Sequence, residues 1–476
     1  MKTSCFLAAA ILILTIFATA AGCKSFGERH FKIRDEFIDG KIDKAKSDVD
    51  VAIKTSSRKD VDLLKLNKAI IDLCSGRPKS AELLLREVRD NFDRIEHQKA
   101  ENAAKDVMSM ILDDNAQAYS GEDYEKVMIR VFLTIANLMQ NGGDAYAYSM
   151  QINDKQNKII ESHKKEVTKL CGNDPALIKP YDANYYNVAI GAYISGLLQE
   201  ETKRNYDDAL RNYEKTKRWL EENKYHHQLY VKADIERVKT GVHSKSGNGV
   251  VYIIALEGEG PYKIQKNCQA LHETQILTTA VLSKVSNTAL IPDFAPVMIP
   301  AIVSDSRAGE VEIDFSIDQK FRGSTSEVTN ISKMAKDQFD ANMPLIITRA
   351  IVRRMLKKGA IYGTKKAVDA NGWVGLALEV GGMIWESMET ADTRSWNLLP
   401  NSIQISRVEL PAGEHEITMS LSSLLDYAPK YYKPPVYQAY NAKFKIHDGR
   451  NTYILANFIN GKLVGKITVS GENNNE

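Results

Sequence analysis

From residue 28 to about 243 apolar residues recur three and four positions apart; from about 250 onward they alternate with polar ones. The first spacing paints a stripe along a helix, and the second paints one face of a strand. The sequence DVDLLKLNKAIIDLCSGRPKSAELLLREVRDNF shows the helical pattern well. Leu63, Leu66, Ile70 and Leu73 share one face, Gly76-Arg77-Pro78 breaks it, and Ala81, Leu84, Leu85 and Val88 start the next. VVYIIALEG, by contrast, predicts a buried strand, and EVEIDFSID a half-buried one in which Val311, Ile313, Phe315 and Ile317 alternate with acids. HEITMSL, KFKIH, TYILANF and KLVGKITV repeat the alternation, and DGR at 448–450 predicts a hairpin turn. The helical period returns between about 330 and 390. There PLIITRAIVRRMLKKG carries Pro344 in its first turn and Gly359 at its end, and GWVGLALEVGGMIWESM follows. The latter is too short for a span and holds Glu379, so it predicts close helix packing.

These periods predict an α+β fold: an N-terminal α-solenoid, then a β-rich, sandwich-like domain with a helical insertion. The expected boundaries are a leader over 1–22, a helical domain over 23–242, a linker over 243–249 and a β-rich domain over 250–470. The helical segment at about 330–390 lies inside the last of these, and a disordered tail covers 471–476. Ala45 follows Gly40 by five residues, as Ala81 follows Gly76, and Ala45 and Ala81 are 36 residues apart. With AIGAYISGLLQEETKRNYDDALRNYEKTKRWL, where Ala209 sits between Tyr206 and Tyr213, this resembles the tetratricopeptide repeat of about 34 residues. Such arrays hold peptides or proteins on a concave face.

MKTSCFLAAAILILTIFATAAGC has a lysine, an apolar run and small residues, the layout of a secretory signal peptide. Ala20-Ala21-Gly22-Cys23 resembles the lipobox of bacterial lipoproteins. That resemblance implies cleavage before Cys23, a diacylglycerol on its thiol and a membrane anchor. Lys24, where an Asp would retain the protein in the inner membrane, implies the outer membrane, where a periplasm-facing position is expected and a surface-exposed one is the alternative. Beyond Cys23 the cysteines Cys74, Cys171 and Cys268 are an odd, widely spaced set that does not read as a disulfide framework.

The balance of 63 Lys and Arg against 61 Asp and Glu gives no reason to expect a nucleic-acid partner. Nor does a catalytic motif emerge. GAIYGTK at 359–365 has the wrong spacing for a phosphate loop and follows a helix. His226 and His227 are adjacent and would point apart on a helix, so they make no metal site. Asp113, Asp114, Glu122 and Asp123 lack the spacing of a calcium loop and predict helix capping. The expectation is therefore no catalytic residue, no cofactor and no metal.

ADTRSWNLLPNSIQISRVELPAGEHEITM, 391–419, packs the densest set of polar and aromatic groups. Its order predicts a helix end at Asp392-Thr393, an inward turn at Trp396, Leu398 and Leu399, a break at Pro400-Asn401 and a strand from Ile403. Arg394 and Trp396 are expected to clamp this helix-to-strand corner. PAGEHEITM resembles the β-hairpins of PEGA-type domains, with His415 a hairpin side chain. Together with DDNAQAYSGEDYEKVM and GNGVVYIIALEGEGPYKIQK, the whole order is similar to a family of uncharacterised bacterial lipoproteins. That resemblance implies no catalytic residue and hints at cell-wall synthesis. Two functions follow: a lipid-anchored envelope protein that scaffolds or assembles other envelope proteins, or a periplasmic hydrolase or accessory activator acting on cell-wall polymer synthesis.

Overall fold

A computed structural model describes residues 26–103, 118–140, 142–171, 187–223, 229–268, 297–304, 311–367, 391–421 and 438–471. The leader, Cys23, Asp113, Asp114, His226, His227, the 373–389 segment and the tail from 472 lie outside them. Helices fill the N-terminal half: α1 (Phe26–Ile38), α2 (Ile42–Thr55), α3 (Val61–Cys74), α4 (Pro78–Ala103), α5 (Asp123–Leu138), α6 (Ala145–Cys171), α7 (Ala189–Leu198), α8 (Tyr206–Glu222) and α9 (Leu229–Val238). Each packs on the next. Ala45, Ala81 and Ala209 are fully buried among them. At α7, a side chain on Gly196 would sit 3.0 Å from the Tyr213 ring of α8.

The helices form an inner and an outer layer. Every residue of α7 is buried, and in α5 all but Asp123 and Lys126. Helices α2 and α8 bury one stripe, Ala45, Val49 and Ala52 in the first and Ala209, Tyr213, Thr216, Trp219 and Leu220 in the second. A helix apolar all round must be covered on all sides. The cover is a sheet.

The strands are β1 (Asn248–Glu259), β2 (Tyr262–Cys268), β3 (Val297–Val303), β4 (Ile313–Ile317), β5 (Lys320–Ser324), β6 (Ser326–Asn330), β7 (Pro400–Pro411), β8 (Gly413–Leu421), β9 (Tyr440–Ile446), β10 (Asn451–Ile459), β11 (Lys462–Leu463) and β12 (Thr468–Val469). They form a six-stranded sheet in the order β11-β10-β1-β7-β6, with β12 also on β10. A four-stranded sheet, β5-β4-β8-β9, and a β2-β3 ribbon complete the set. In the larger sheet β1 runs parallel to β10 and antiparallel to β7. Tyr252, Ile254, Leu256, Ile403, Ile405, Tyr453 and Leu455 pack into one core with α1, α3, α5 and α7. The opposite face, Val251, Ile253, Ala255, Ile454 and Phe458, shares a second core with Ile313, Phe315, Ile417, Met419 and Phe444 of the smaller sheet. The central strand is thus buried on both faces, which is why VVYIIALEG reads as an unbroken apolar run.

Several expectations change. The segment 243–249 is no free linker. Ser244 Oγ donates to the Asn248 carbonyl at 3.0 Å, Lys245 N–H to Glu409 at 2.9 Å and Gly247 N–H to Asp448 at 2.9 Å, and β1 already begins at Asn248. PAGEHEITM is not a hairpin. β7 pairs with β1 and β6, whereas β8 pairs with β4 and β9, so the chain changes sheets at Ala412-Gly413. Gly413, at φ 146°, has the backbone freedom for that step. DGR likewise joins β9 of one sheet to β10 of the other. Alternation shows which residues share a face and is silent on which strand lies beside which. Pro400-Asn401 starts β7 instead of breaking the chain, Pro400 taking the first-residue place open to proline. The inserted helix, α10 (Ile331–Ala367), begins well before Pro344. Asn330 starts it by accepting the Lys333 N–H at 2.7 Å. Leu345, Ile347, Ile351 and Val352, all buried, offset the cost of a proline inside a helix.

Candidate functional site

The polar stretch 391–397 lies against the N-terminal ends of α1, α3 and α5. Arg394 donates through Nε and Nη2 to Asp392, at 3.0 and 2.8 Å, and through Nη1 to Asp60 before α3, at 3.1 Å. Its guanidinium lies 5.5 Å from the centre of the Tyr119 ring. Burial alone would raise the Asp392 carboxyl, but the Arg394 guanidinium holds it below its ordinary value. Ser395 offers its carbonyl to His30 Nε2 at 3.0 Å. A carbonyl only accepts, so Nε2 carries the proton and Nδ1 is left to accept from Asn67 Nδ2 at 3.3 Å. Asn67 also donates to Asn397 Oδ1 at 3.1 Å. Burial, helped by the nearby Arg34 charge and opposed by the Ser395 bond, lowers the His30 pKa to about 4, so the ring is neutral at pH 7.

Glu125 is the centre of this node and is fully buried. Its carboxylate accepts from the Tyr119 hydroxyl, the Tyr124 hydroxyl at 3.2 Å, the Glu122 N–H at 3.0 Å and the Trp396 N–H at 2.8 Å. Burial, with the Glu122 charge, raises its pKa. Glu122 and Glu125 form the capping box of α5, and Glu122 also pairs with buried Lys263. The Trp396 ring is wholly buried, 5.7 Å from the Phe132 ring, and its indole N–H has no hydrogen-bond partner among the described residues. Arg394 thus reaches Asp60 just before α3, and Trp396 packs on Phe132 of α5. His415 sits apart, donating at Nδ1 to the Asp318 carboxylate, 2.7 Å away, and facing the Pro411 carbonyl at Nε2, 2.9 Å away.

A second buried node, which sequence reading missed, joins α7, α8, α9 and β7. The helix α7 ends in a π turn, Gln199–Lys203, that turns Glu200 inward. Glu200 pairs with Arg237 and lies 2.8 Å from His243 Nδ1, and it accepts from the Tyr213 hydroxyl at 2.9 Å. Burial would raise its carboxyl, but the His243 bond and the Arg237 charge outweigh that and hold it low. Asp234 accepts from Tyr193 at 2.7 Å and Arg237 at 2.9 Å, and Arg407 of β7 reaches the His243 carbonyl at 2.7 Å. A carboxylate–imidazole pair can serve a nucleophile, but His243 Nε2 is buried with no hydrogen-bond partner, no hydroxyl or thiol among the described residues included. The node closes the helix-to-strand crossing at 243 in place of the expected linker.

Glu327 on β6 accepts from Asn330 at 3.1 Å, and burial, with the charge of Glu257 against that bond, lifts its carboxyl to about 7. Between 4.5 and 7 the folded chain keeps a proton that the unfolded chain has lost, so stability falls as pH rises through this window. Glu327→Gln should remove the effect. The stability difference between variant and wild type is expected to shift by up to about 3 kcal/mol between pH 4.5 and 7.5 in urea titrations, in favour of the variant at the higher pH. A difference that does not move with pH refutes this.

The crevice lined by Arg34, Gly258, Glu259, Asn397 and Asn457 has a volume of about 10 Å³, at the threshold for one water molecule. Among the described residues no group of three or more His, Cys, Asp and Glu is placed to hold a metal, and no helix is long and apolar enough to cross a membrane. Burial pushes the Cys74 thiol up to about 12, the value of an inert core cysteine. Both nodes tie elements together through buried hydrogen bonds and ion pairs, with Trp396 Nε1 and His243 Nε2 left without a partner among the described residues. Comparison with protein-family models, characterised proteins and solved structures finds no match.

Proposed function

We propose that the chain is a lipid-anchored cell-envelope protein, attached through Cys23 to the periplasmic face of the outer membrane, that scaffolds another envelope protein. On this reading α1–α9 are tetratricopeptide-like hairpins, supported by the fully buried Ala45, Ala81 and Ala209 and by the packing of each helix on the next. The inner face of the array is packed against the chain's own sheet. A partner is therefore left the outer layer. The observation that carries the reading is that three successive outer helices, α2, α4 and α6, each expose a large apolar side chain: Val51 at 56%, Leu83 at 59% and Met150 at 43%.

The test places a photo-crosslinking amino acid at each of these three positions in living cells, with labelled palmitate to follow the anchor. One and the same partner should be captured from all three, and Leu83→Asp should lose it. Palmitate should enter the wild type and not Cys23→Ala. Capture of nothing, or cleavage of peptidoglycan by the purified protein, sinks the scaffold reading in favour of a hydrolase. Deleting 28–243 is not a usable control, because it strips the cover from Tyr252, Ile254 and Leu256.

A further inference from the structure

We infer that the β2-β3 ribbon rests on the lipid surface that holds Cys23, so that the body stands on the membrane in one fixed orientation. This builds on the lipoprotein reading above. It follows from how short the tether is and from which way two elements point. Cys23 precedes Phe26, the first residue of α1, by three positions, and three extended residues span at most about 11 Å. The first turn of α1 is itself fastened to the body: Phe26 stacks on His30 at 5.4 Å, and His30 is held by Ser395. The lipid surface therefore lies within about 11 Å of the start of α1.

The ribbon projects from the same end. Arg34 pairs with Glu259 at 2.7 Å and covers the Tyr262 ring at 4.5 Å. Phe31 meets Tyr262 at 5.7 Å, and His30 reaches Ser395, whose hydroxyl accepts the Lys263 N–H at 3.3 Å. Going backward along α1 thus means going forward along β2. Phe26 lies five residues before Phe31, about 7 Å along the helix axis, and Ile264 lies two residues past Tyr262, about 7 Å along the strand. Measured from the Phe31–Tyr262 contact, Ile264 is as far along β2 as Phe26 is along α1, and β2 continues from there to Cys268, about 13 Å further. The ribbon projects at least as far as the tether can reach.

Its surface suits that place. Ile264 is 41% exposed, and Gln265, Lys266 and Asn267 on both faces of β2 are exposed as well, while the partner strand β3 packs against α10 and Gln265 accepts the Ala391 N–H at 3.2 Å. An apolar side chain two positions from a lysine fits an interface of acyl chains and anionic headgroups. The residues that fasten this end, Asp60, Glu122, Lys263 and Arg394, form ion pairs just behind it. They would hold the ribbon and the first turn of α1 in a constant relation.

The test uses full-length lipidated protein with Cys171→Ser and Cys268→Ser, in which Cys74 is too buried to label. A fluorophore is attached at Ile264→Cys or, at the other end of α1, at Asp39→Cys. The proteins are reconstituted in phosphatidylethanolamine–phosphatidylglycerol vesicles that carry a nitroxide headgroup lipid. The label at 264 should lose most of its emission and the label at 39 almost none. If the protein floats with the vesicles but neither label is quenched, or both are quenched equally, the ribbon contact is wrong while the anchor stands. Protein that fails to float removes the anchor reading, and this inference falls with it.

Discussion

Trp396→Ala should lower stability by about 3–5 kcal/mol, the range for deleting a buried aromatic side chain. The ring is wholly buried and packed on Phe132, so little of the space it leaves can be filled by small shifts of its neighbours. Because the indole N–H has no partner among the described residues, the loss is one of packing. Trp396→Phe should therefore recover a large part of it, since an aromatic ring stays against Phe132. The backbone N–H of residue 396 keeps its bond to Glu125 in both variants. Urea midpoints measure the effect. A midpoint within experimental error of wild type for the alanine variant, with loss of a bound ligand or partner instead, would return this stretch to the rank of a binding site.

Glu125→Ala should be at least as damaging, for a different reason. It strands four donors in the interior: the hydroxyls of Tyr119 and Tyr124 and the N–H groups of Glu122 and Trp396. A buried donor left without an acceptor costs about 1–3 kcal/mol, and water admitted to the new space offsets part of the total, so a loss of about 4 kcal/mol or more is expected. Glu125→Gln is the sharper variant. It keeps the volume but offers one acceptor oxygen and turns an NH₂ toward donors, so it should cost nearly as much as alanine. A glutamine variant as stable as wild type would mean that the node does not depend on a carboxylate. A double-mutant cycle between Trp396→Ala and Glu125→Gln should show coupling above about 0.5 kcal/mol, since loss of the ring loosens the segment whose N–H the carboxylate holds.

Much of the architecture could be read from the residues. The helical and strand halves follow from the change of period near 243, and the apolar run of β1 announced burial on both faces. Partners were less legible. Nothing local in PAGEHEITM or DGR records that the strands on either side belong to different sheets. That choice is made by residues far away, such as Ile446 beside Gly413 and Asn451 beside Val250. The polar nodes were half visible. The capping acid Glu122 could be found from its place before an apolar run, whereas its capping-box partner Glu125 meets Trp396 only from 271 residues away. Acids inside otherwise apolar helices were the available signal: Glu125 in DYEKVMIRVFL and Glu200 in ISGLLQEE. Each marks a helix that packs on all sides and must bury a charge with its partners. His30 and His243 gave no such sign, because a single histidine in a mixed sequence has no periodicity to break.

The double burial of the six-stranded sheet bears on how the chain is made. Synthesis delivers α1–α9 first, yet the surface that covers their inner face comes from strands at 248–259, 400–411 and 451–459. β1 cannot complete its ladder until β10 exists, some two hundred residues later, and such distant pairings are slow to form. The helical half must therefore wait with Tyr193, Phe132 and Ile70 uncovered, a sticky state that invites aggregation. Chains stopped short of β10 should collect in inclusions or be degraded.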